Sequence, residues 1–221
     1  MQVPDHYYGD KVSKYEQARS DSPVWVAEQR MLSDFLGKLP AGSRCLDTPV
    51  GTGRFLPYYA SAGHRLTGLD ISTAMLQAAA AKAAGVNLSA NFLGGSIFDL
   101  PFEDGEFDAV VCVRLLTWFT AAQVHAALAE LSRVSRHCVV VTAHTWKGVR
   151  EVSSNPLNLA RLGKSRIWYW RRKRQDKAMI RHHAKPSLLT AFDAHGLRVS
   201  EERTLQDRVA GRYLGWVLQR K

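Results

Sequence analysis

The run Arg44-Cys45-Leu46-Asp47-Thr48-Pro49-Val50-Gly51-Thr52-Gly53-Arg54-Phe55, followed by Leu66-Thr67-Gly68-Leu69-Asp70, constrains the fold of this chain more than any other stretch. A short apolar run ending in an acid, a turn with two glycines, an interval long enough for a helix and a second apolar run ending in an acid read as strand, loop, helix and parallel strand. Gly51 and Gly53 lack a Cβ, so backbone there can approach a ligand closely and adopt unusual dihedrals. Asp70 stands 19 residues after Gly51, at the carboxyl end of the second strand, where a carboxylate can accept both hydroxyls of an unphosphorylated ribose. A pyrophosphate cradle is poorly supported: no Gly-x-x-x-x-Gly-Lys-Ser/Thr occurs, and Gly-x-Gly-x-x-Gly fails at Leu56. The layout predicts a bound nucleoside.

The remaining segments alternate in type. Ser22-Pro23 followed by Val24, Ala27, Met31 and Phe35 and then Gly37 predicts a capped helix with an apolar stripe. Strands are expected at about 43–48, 65–70, 90–95, 108–113 and 138–142, with helices at about 52–62, from Ser72 to Gly85, and from the capping box Thr120-Ala121-Ala122-Gln123 to about Arg133. A further helix from Lys185-Pro186-Ser187 to Gly196 precedes two strands, Leu197–Leu205 and Arg212–Gln219. Strands alternating with helices imply a parallel sheet. At 221 residues with 46% apolar content, the chain can bury one full α/β core. Cys45, Cys112 and Cys138 all fall in expected core strands; an odd count there argues for reduced thiols in a cytoplasmic protein rather than a disulfide framework. No apolar run approaches a membrane span and the first residues do not resemble a signal peptide.

Three ordered motifs carry a family resemblance. Leu46-Asp47-Thr48-Pro49-Val50-Gly51-Thr52-Gly53 resembles motif I of class I S-adenosylmethionine-dependent methyltransferases, Leu69-Asp70-Ile71-Ser72 with Met75 resembles the second motif, and Phe98 to Val111 resembles the segment around the fourth strand, especially that of ubiquinone, menaquinone and small-molecule methyltransferases. Together they span about residues 40–145. The resemblance implies a Rossmann-like, doubly wound α/β fold: a mostly parallel seven-stranded sheet with an antiparallel C-terminal edge, interrupted by a basic insert after the fifth strand. It implies S-adenosyl-L-methionine as cofactor, with Asp47, Thr48, Gly51 and Gly53 at the methionine end, Asp70 on the ribose, Ile71, Met75, Ser96 and Ile97 around the adenine, and Val113 as a further cofactor-binding residue. The N-terminal segment 1–40 is similar to a partial lid, with Tyr15 near the methionine moiety or the acceptor; an ordinary amphipathic helix is the alternative. Two residues depart from the pattern. Pro49 replaces the first glycine and brings a fixed φ and no N–H, and Ser96 replaces a frequent acid with a weaker acceptor.

The interruption at residues 144–185 is the second informative region. It holds twelve Lys and Arg against Glu151 and Asp176, while the rest of the chain is balanced, so the whole formal charge of +10 sits there. At its centre, Arg166-Ile167-Trp168-Tyr169-Trp170-Arg171-Arg172-Lys173-Arg174 interleaves aromatics and cations. Successive helical residues lie about 100° apart, so the three rings cannot share one face. They either pack on the domain beneath stacked arginines or meet an anionic acceptor, an anionic membrane surface or, as a second choice, RNA.

Methyl transfer from a sulfonium needs positioning more than acid–base machinery. Where the acceptor carries a proton a base helps, and His144 is the first candidate, the alternative being a strand-end residue bonded to backbone; His182 and His183 are weaker ones. Arg114 would hold an acceptor carboxylate or phosphate, or else pair with a nearby acid. The chain lacks Asn-Pro-Pro-Tyr, Asp-Pro-Pro-Tyr and a Pro-Cys nucleophile, and no carboxylate cluster or Cys/His spacing suggests a metal. The expected activity is transfer of a methyl group to a small-molecule or lipid-linked anionic acceptor. An RNA methyltransferase and a non-catalytic cofactor-binding scaffold are the alternatives.

Overall fold

The computed structural model describes residues 22–147, 160, 161, 163–165, 167 and 180–221. Tyr15 and most of the expected lid, and Trp168, Tyr169 and Trp170 of the basic insert, lie outside them. The described elements run α1 (Pro23–Leu36), β1 (Arg44–Asp47), α2 (Leu56–Ser61), β2 (Arg65–Asp70), α3 (Thr73–Gly85), β3 (Ala90–Gly94), β4 (Phe107–Cys112), α4 (Ala121–Val134), β5 (Ser135–Trp146), β6 (His182–His183), α5 (Lys185–Ala194), β7 (Leu197–Asp207) and β8 (Gly211–Arg220).

The strands form one sheet in the order β3-β2-β1-β4-β5-β8-β7, with β6 added beside β5. All neighbours are parallel except β5·β8 and β7·β8. The mostly parallel sheet with an antiparallel C-terminal edge is therefore as expected: seven strands form its main path, and among the described residues a short eighth lies beside β5. The extra one is the two-residue β6, which sets His182 opposite His144 and His183 opposite Thr145.

Helices cover both faces of the sheet, so its central strands are apolar on both sides. On one face Val124, Leu128 and Leu131 of α4 and Leu188 and Phe192 of α5 pack against Val110, Val139, Val141 and Trp216. On the other, Met31, Leu32 and Phe35 of α1, Leu56 and Tyr59 of α2 and Ala79 of α3 pack against Cys45, Ala109, Val111 and Val140. The three cysteines are buried and unpaired. Among the described residues no helix is long and apolar enough to cross a membrane.

Local signals in the sequence are realised at several termini. Ser72 caps α3 by accepting from Met75 N at 3.4 Å, and Thr120 and Gln123 form the reciprocal capping box of α4. Two expectations fail. The helix after the glycine loop begins at Leu56, not Thr52, because Gly51 and Gly53 take φ of 56° and 74°, outside the helical region. Strand five reaches Trp146, so His144 lies within it rather than just past its end.

Candidate functional site

The carboxyl ends of β1, β2 and β4 meet at one edge of the sheet, where open parallel sheets bind ligands. The loop leaving β1 is shaped by Val50 N donating to Leu69 O at 3.0 Å and Gly53 N to Val50 O at 3.1 Å, and its Thr48–Pro49 peptide is cis. The two glycines serve different ends. A Cβ at Gly51 would meet nothing within 4 Å, so the loop there faces open space. A Cβ at Gly53 would lie 2.5 Å from Leu56 Cδ1 and 3.1 Å from Ala79 Cα, so this glycine lets α2 and α3 close on the loop. Gly53→Ala is expected to lower stability by about 2–4 kcal/mol through clash and left-handed strain, and Gly51→Ala by only about 1–2 kcal/mol through strain alone; thermal unfolding of both variants compares them.

Asp70, at the tip of β2, braces this loop. Its Oδ2 accepts from Gly51 N at 2.9 Å and its Oδ1 from Ser72 N at 2.9 Å. Burial pushes its carboxyl up from the ordinary range, while the N–H groups of Ser72, Gly51 and Ile71 pull it back. Next to it, the Ile71 side chain is 59% exposed, an apolar group held at the open edge. Met75, Ile97 and Val113 are buried instead, with Ile97 and Val113 in the two cores. Ser96 Oγ accepts from Phe98 N at 3.2 Å and so also serves its own turn.

Asp47 and Thr48 are nearly inaccessible. Burial drives the Asp47 carboxyl up to about 8, against the opposing pull of Arg54 and Tyr59. An acid whose folded pKa exceeds its unfolded value of 3.8 stabilises the fold fully below that value and loses its contribution as pH rises toward 8. His144 and His182 act in the opposite sense. Burial foremost, then neighbouring cations, pushes them down from 6.5 to about 3 and about 4, so their contribution is present above pH 6.5 and lost as pH falls through that range. Asp47→Asn is expected to raise the melting temperature relative to wild type by much more at pH 8 than at pH 5; melting curves across pH check it.

His144 and three further aromatic groups form a wall. The His144 ring lies 4.4 Å from Tyr213 and 5.2 Å from His182, and Trp146 stacks on His182 at 4.5 Å. His183 Nε2 bonds Leu116 O at 2.9 Å. A histidine with so low a pKa is a feeble proton acceptor, and among the described residues no group of three or more His, Cys, Asp and Glu is placed to hold a metal.

Arg114 sits at φ 66° just past β4, an unusual conformation for a side chain of this kind. Its N donates to Thr142 Oγ1 at 2.8 Å and its Nε to both oxygens of Glu28, at 2.7 and 2.9 Å. The acidic partner thus comes from α1, 86 residues away, rather than from the neighbourhood. Glu28 is fully buried and also accepts from Arg54 Nη1 at 2.8 Å and Tyr213 OH at 2.8 Å. The Arg54 guanidinium lies 3.9 Å above the Trp25 ring and 4.1 Å from that of Phe55. Glu28, Arg54, Trp25 and Tyr213 were not anticipated as site residues. The available signal was an acid in register with Trp25, Met31, Leu32 and Phe35, the most deeply buried stripe of α1; of the expected stripe, Met31 and Phe35 lie in it, and Val24 and Ala27 pack partly buried at its margin.

Residues 45–137 match the family described as "Methyltransferase domain". A demethylmenaquinone methyltransferase of Renibacterium salmoninarum is 34% identical over 108 residues, 49% of this chain and 43% of that protein. A malonyl-[acyl-carrier protein] O-methyltransferase of Serratia marcescens is 31% identical over 127 residues, 56% of this chain and 48% of that protein. The chain thus spans about half the length of these curated relatives. The crystal structure of a magnesium protoporphyrin IX methyltransferase from Synechocystis with bound SAH superposes with a TM-score of 0.73 at 16% identity, covering 98% of this chain and 97% of that one, which shows a shared fold.

Proposed function

We propose that this chain is an S-adenosylmethionine-dependent methyltransferase acting on a small-molecule or lipid-linked acceptor that arrives as an anion. One observation carries the cofactor reading: the loop opens onto space at Gly51 while its N–H is tied to Asp70, so backbone without a side chain and a carboxylate face the same opening. The residues present fit the group. Asp70 would take the ribose hydroxyls, Ile71 and the Ser96 turn would flank the adenine, and Gly51, with Asp47 and Thr48 beneath it, would lie toward the methionine end. The bound cofactor supplies an electrophilic methyl on a sulfonium.

The protein's part is then to orient the acceptor and exclude water. An ionised acceptor suits this edge, since His144 and His182 are poor proton acceptors and the carboxylate of Glu28 is occupied by Arg54, Arg114 and Tyr213. His144, with Trp146, His182 and Tyr213, would form the acceptor wall rather than supply a base. The excess cation of residues 144–185 supports an acceptor of negative charge.

Calorimetric titration of the full chain with S-adenosylhomocysteine is expected to give a dissociation constant in the micromolar range, about 7–8 kcal/mol, weakened at least tenfold by Gly51→Ala. No heat from a folded sample removes the reading. Labelled methyl donor added to fractionated lysate then identifies the acceptor: label in a small acid or lipid supports the proposal. Label in RNA, with affinity falling steeply with salt, replaces the anionic small acceptor with a nucleic acid.

A further inference from the structure

We propose that the guanidinium of Arg54, clamped between Trp25 and Phe55 at the open edge of the sheet, is a carboxylate-binding subsite. The carboxylate comes either from the acceptor or from the amino-acid tail of the cofactor. The placement of this subsite beside a nucleoside rests on the function proposed above; the existence of the subsite does not.

The argument begins with hydrogen-bond supply. A guanidinium carries five N–H donors in a planar fork, and Arg54 spends one, from Nη1, on Glu28 Oε2. Glu28 has little more to give. Its Oε1 already accepts from Arg114 Nε and Tyr213 OH, and its Oε2 from Arg54 Nη1 and Arg114 Nε, which uses about all four lone-pair directions of a carboxylate. The Nε and Nη2 donors of Arg54 therefore lack an acceptor among the described residues, although the side chain is only 10% exposed. Neither nitrogen is among the buried side-chain atoms left without a partner, so both reach solvent, and a ligand anion would replace water there with a charge-assisted pair.

Nearby acids do not fill the role. Asp47 is held up to about 8 by burial, so at neutral pH its carboxyl is mostly protonated, and Asp70 bonds Gly51 N and Ser72 N and not Arg54. Arg114, 5.3 Å from the same Trp25 ring, adds positive potential.

Geometry selects the class of anion. Arg54 follows Gly53 in the loop that opens at Gly51, and two flanking rings fix the plane of its guanidinium. With Nη1 engaged, what is left is the side-on edge formed by Nε and Nη2, which pairs with two oxygens of one carboxylate. A lysine at this position would keep the charge and lose the fork.

Calorimetry on the full chain decides the matter, with wild type, Arg54→Gln and Arg54→Lys checked for folding by thermal unfolding. The probes are S-adenosylhomocysteine, its decarboxylated analogue, and benzoate, with inorganic phosphate as a control. If the cofactor tail is the source, wild type binds S-adenosylhomocysteine at least tenfold more tightly than the decarboxylated analogue, and Arg54→Gln erases the difference. If the acceptor is the source, the two nucleosides bind alike in both proteins, and benzoate binds wild type but not Arg54→Gln. In either case Arg54→Lys falls between the two, and it decides alone should Arg54→Gln not fold. Unchanged carboxylate discrimination in the substituted proteins, or tighter binding of phosphate than of any carboxylate, overturns the subsite. Failure of both nucleosides to bind folded wild type sinks the cofactor reading instead, and the benzoate arm still tests Arg54.

Discussion

Asp70→Ala is expected to remove measurable binding of S-adenosylhomocysteine, a loss of at least a hundredfold, while the protein still folds. Hydrogen bonds to a charged group are worth about 1.5–3 kcal/mol each, so losing two ribose hydroxyls costs about 3 kcal/mol or more, and tenfold in affinity corresponds to about 1.4 kcal/mol. The same carboxylate holds Gly51 N and Ser72 N, so alanine also releases the loop from its brace and leaves two N–H groups without their acceptor. A stability loss of about 1–3 kcal/mol accompanies the lost affinity. Asp70→Asn separates the two effects, because its single carbonyl oxygen can keep one of the backbone bonds but cannot serve both loop and ribose. Calorimetry and thermal unfolding on the same samples read each contribution. Full affinity in folded Asp70→Ala would remove this residue from the ligand.

Glu28→Ala has the largest expected effect on the fold. It strips the shared carboxylate from Arg54, Arg114 and Tyr213 at once and leaves guanidinium groups in a poorly hydrated place. Breaking a buried ion pair from one side costs about 3–5 kcal/mol, and in a domain of this size each kcal/mol moves the melting temperature by about 2–4 °C. A fall of about 6–20 °C is therefore expected in thermal unfolding. Glu28→Gln preserves volume and one acceptor oxygen and should fall less far. A melting temperature within about 2 °C of wild type for the alanine variant would show that water or other groups satisfy the arginines.

What the sequence revealed, and what it hid, follows from the range of the interactions involved. Ser72, Thr120 and Gln123 act on backbone within three residues, so their capping is readable locally. The alternation of apolar runs with helical intervals likewise marks β1, β2, β4 and β5, and Gly51 with Asp70 marks the loop they later form. Long-range partners left fainter traces. His182–His183 has no periodicity of its own and becomes a strand only because β5 continues past the end of β4 and offers it an edge. Glu28 meets Tyr213 across 185 residues, and nothing in the sequence around either announces the other. Arg114 was recognised as important, yet its partner could be known only once α1 was seen to bring Glu28 to the residue that follows β4. The late start of α2 has a local cause that pattern matching overlooks: two glycines suited to a ligand are also suited to breaking a helix.

The pairing of β6 with β5 joins the two ends of the basic segment. The chain leaves the sheet after Trp146 and returns at His182, beside His144. The two attachment points, Trp146 and His182, stand in stacked contact at 4.5 Å, so the cationic stretch of the sequence starts and ends beside the wall proposed for the acceptor.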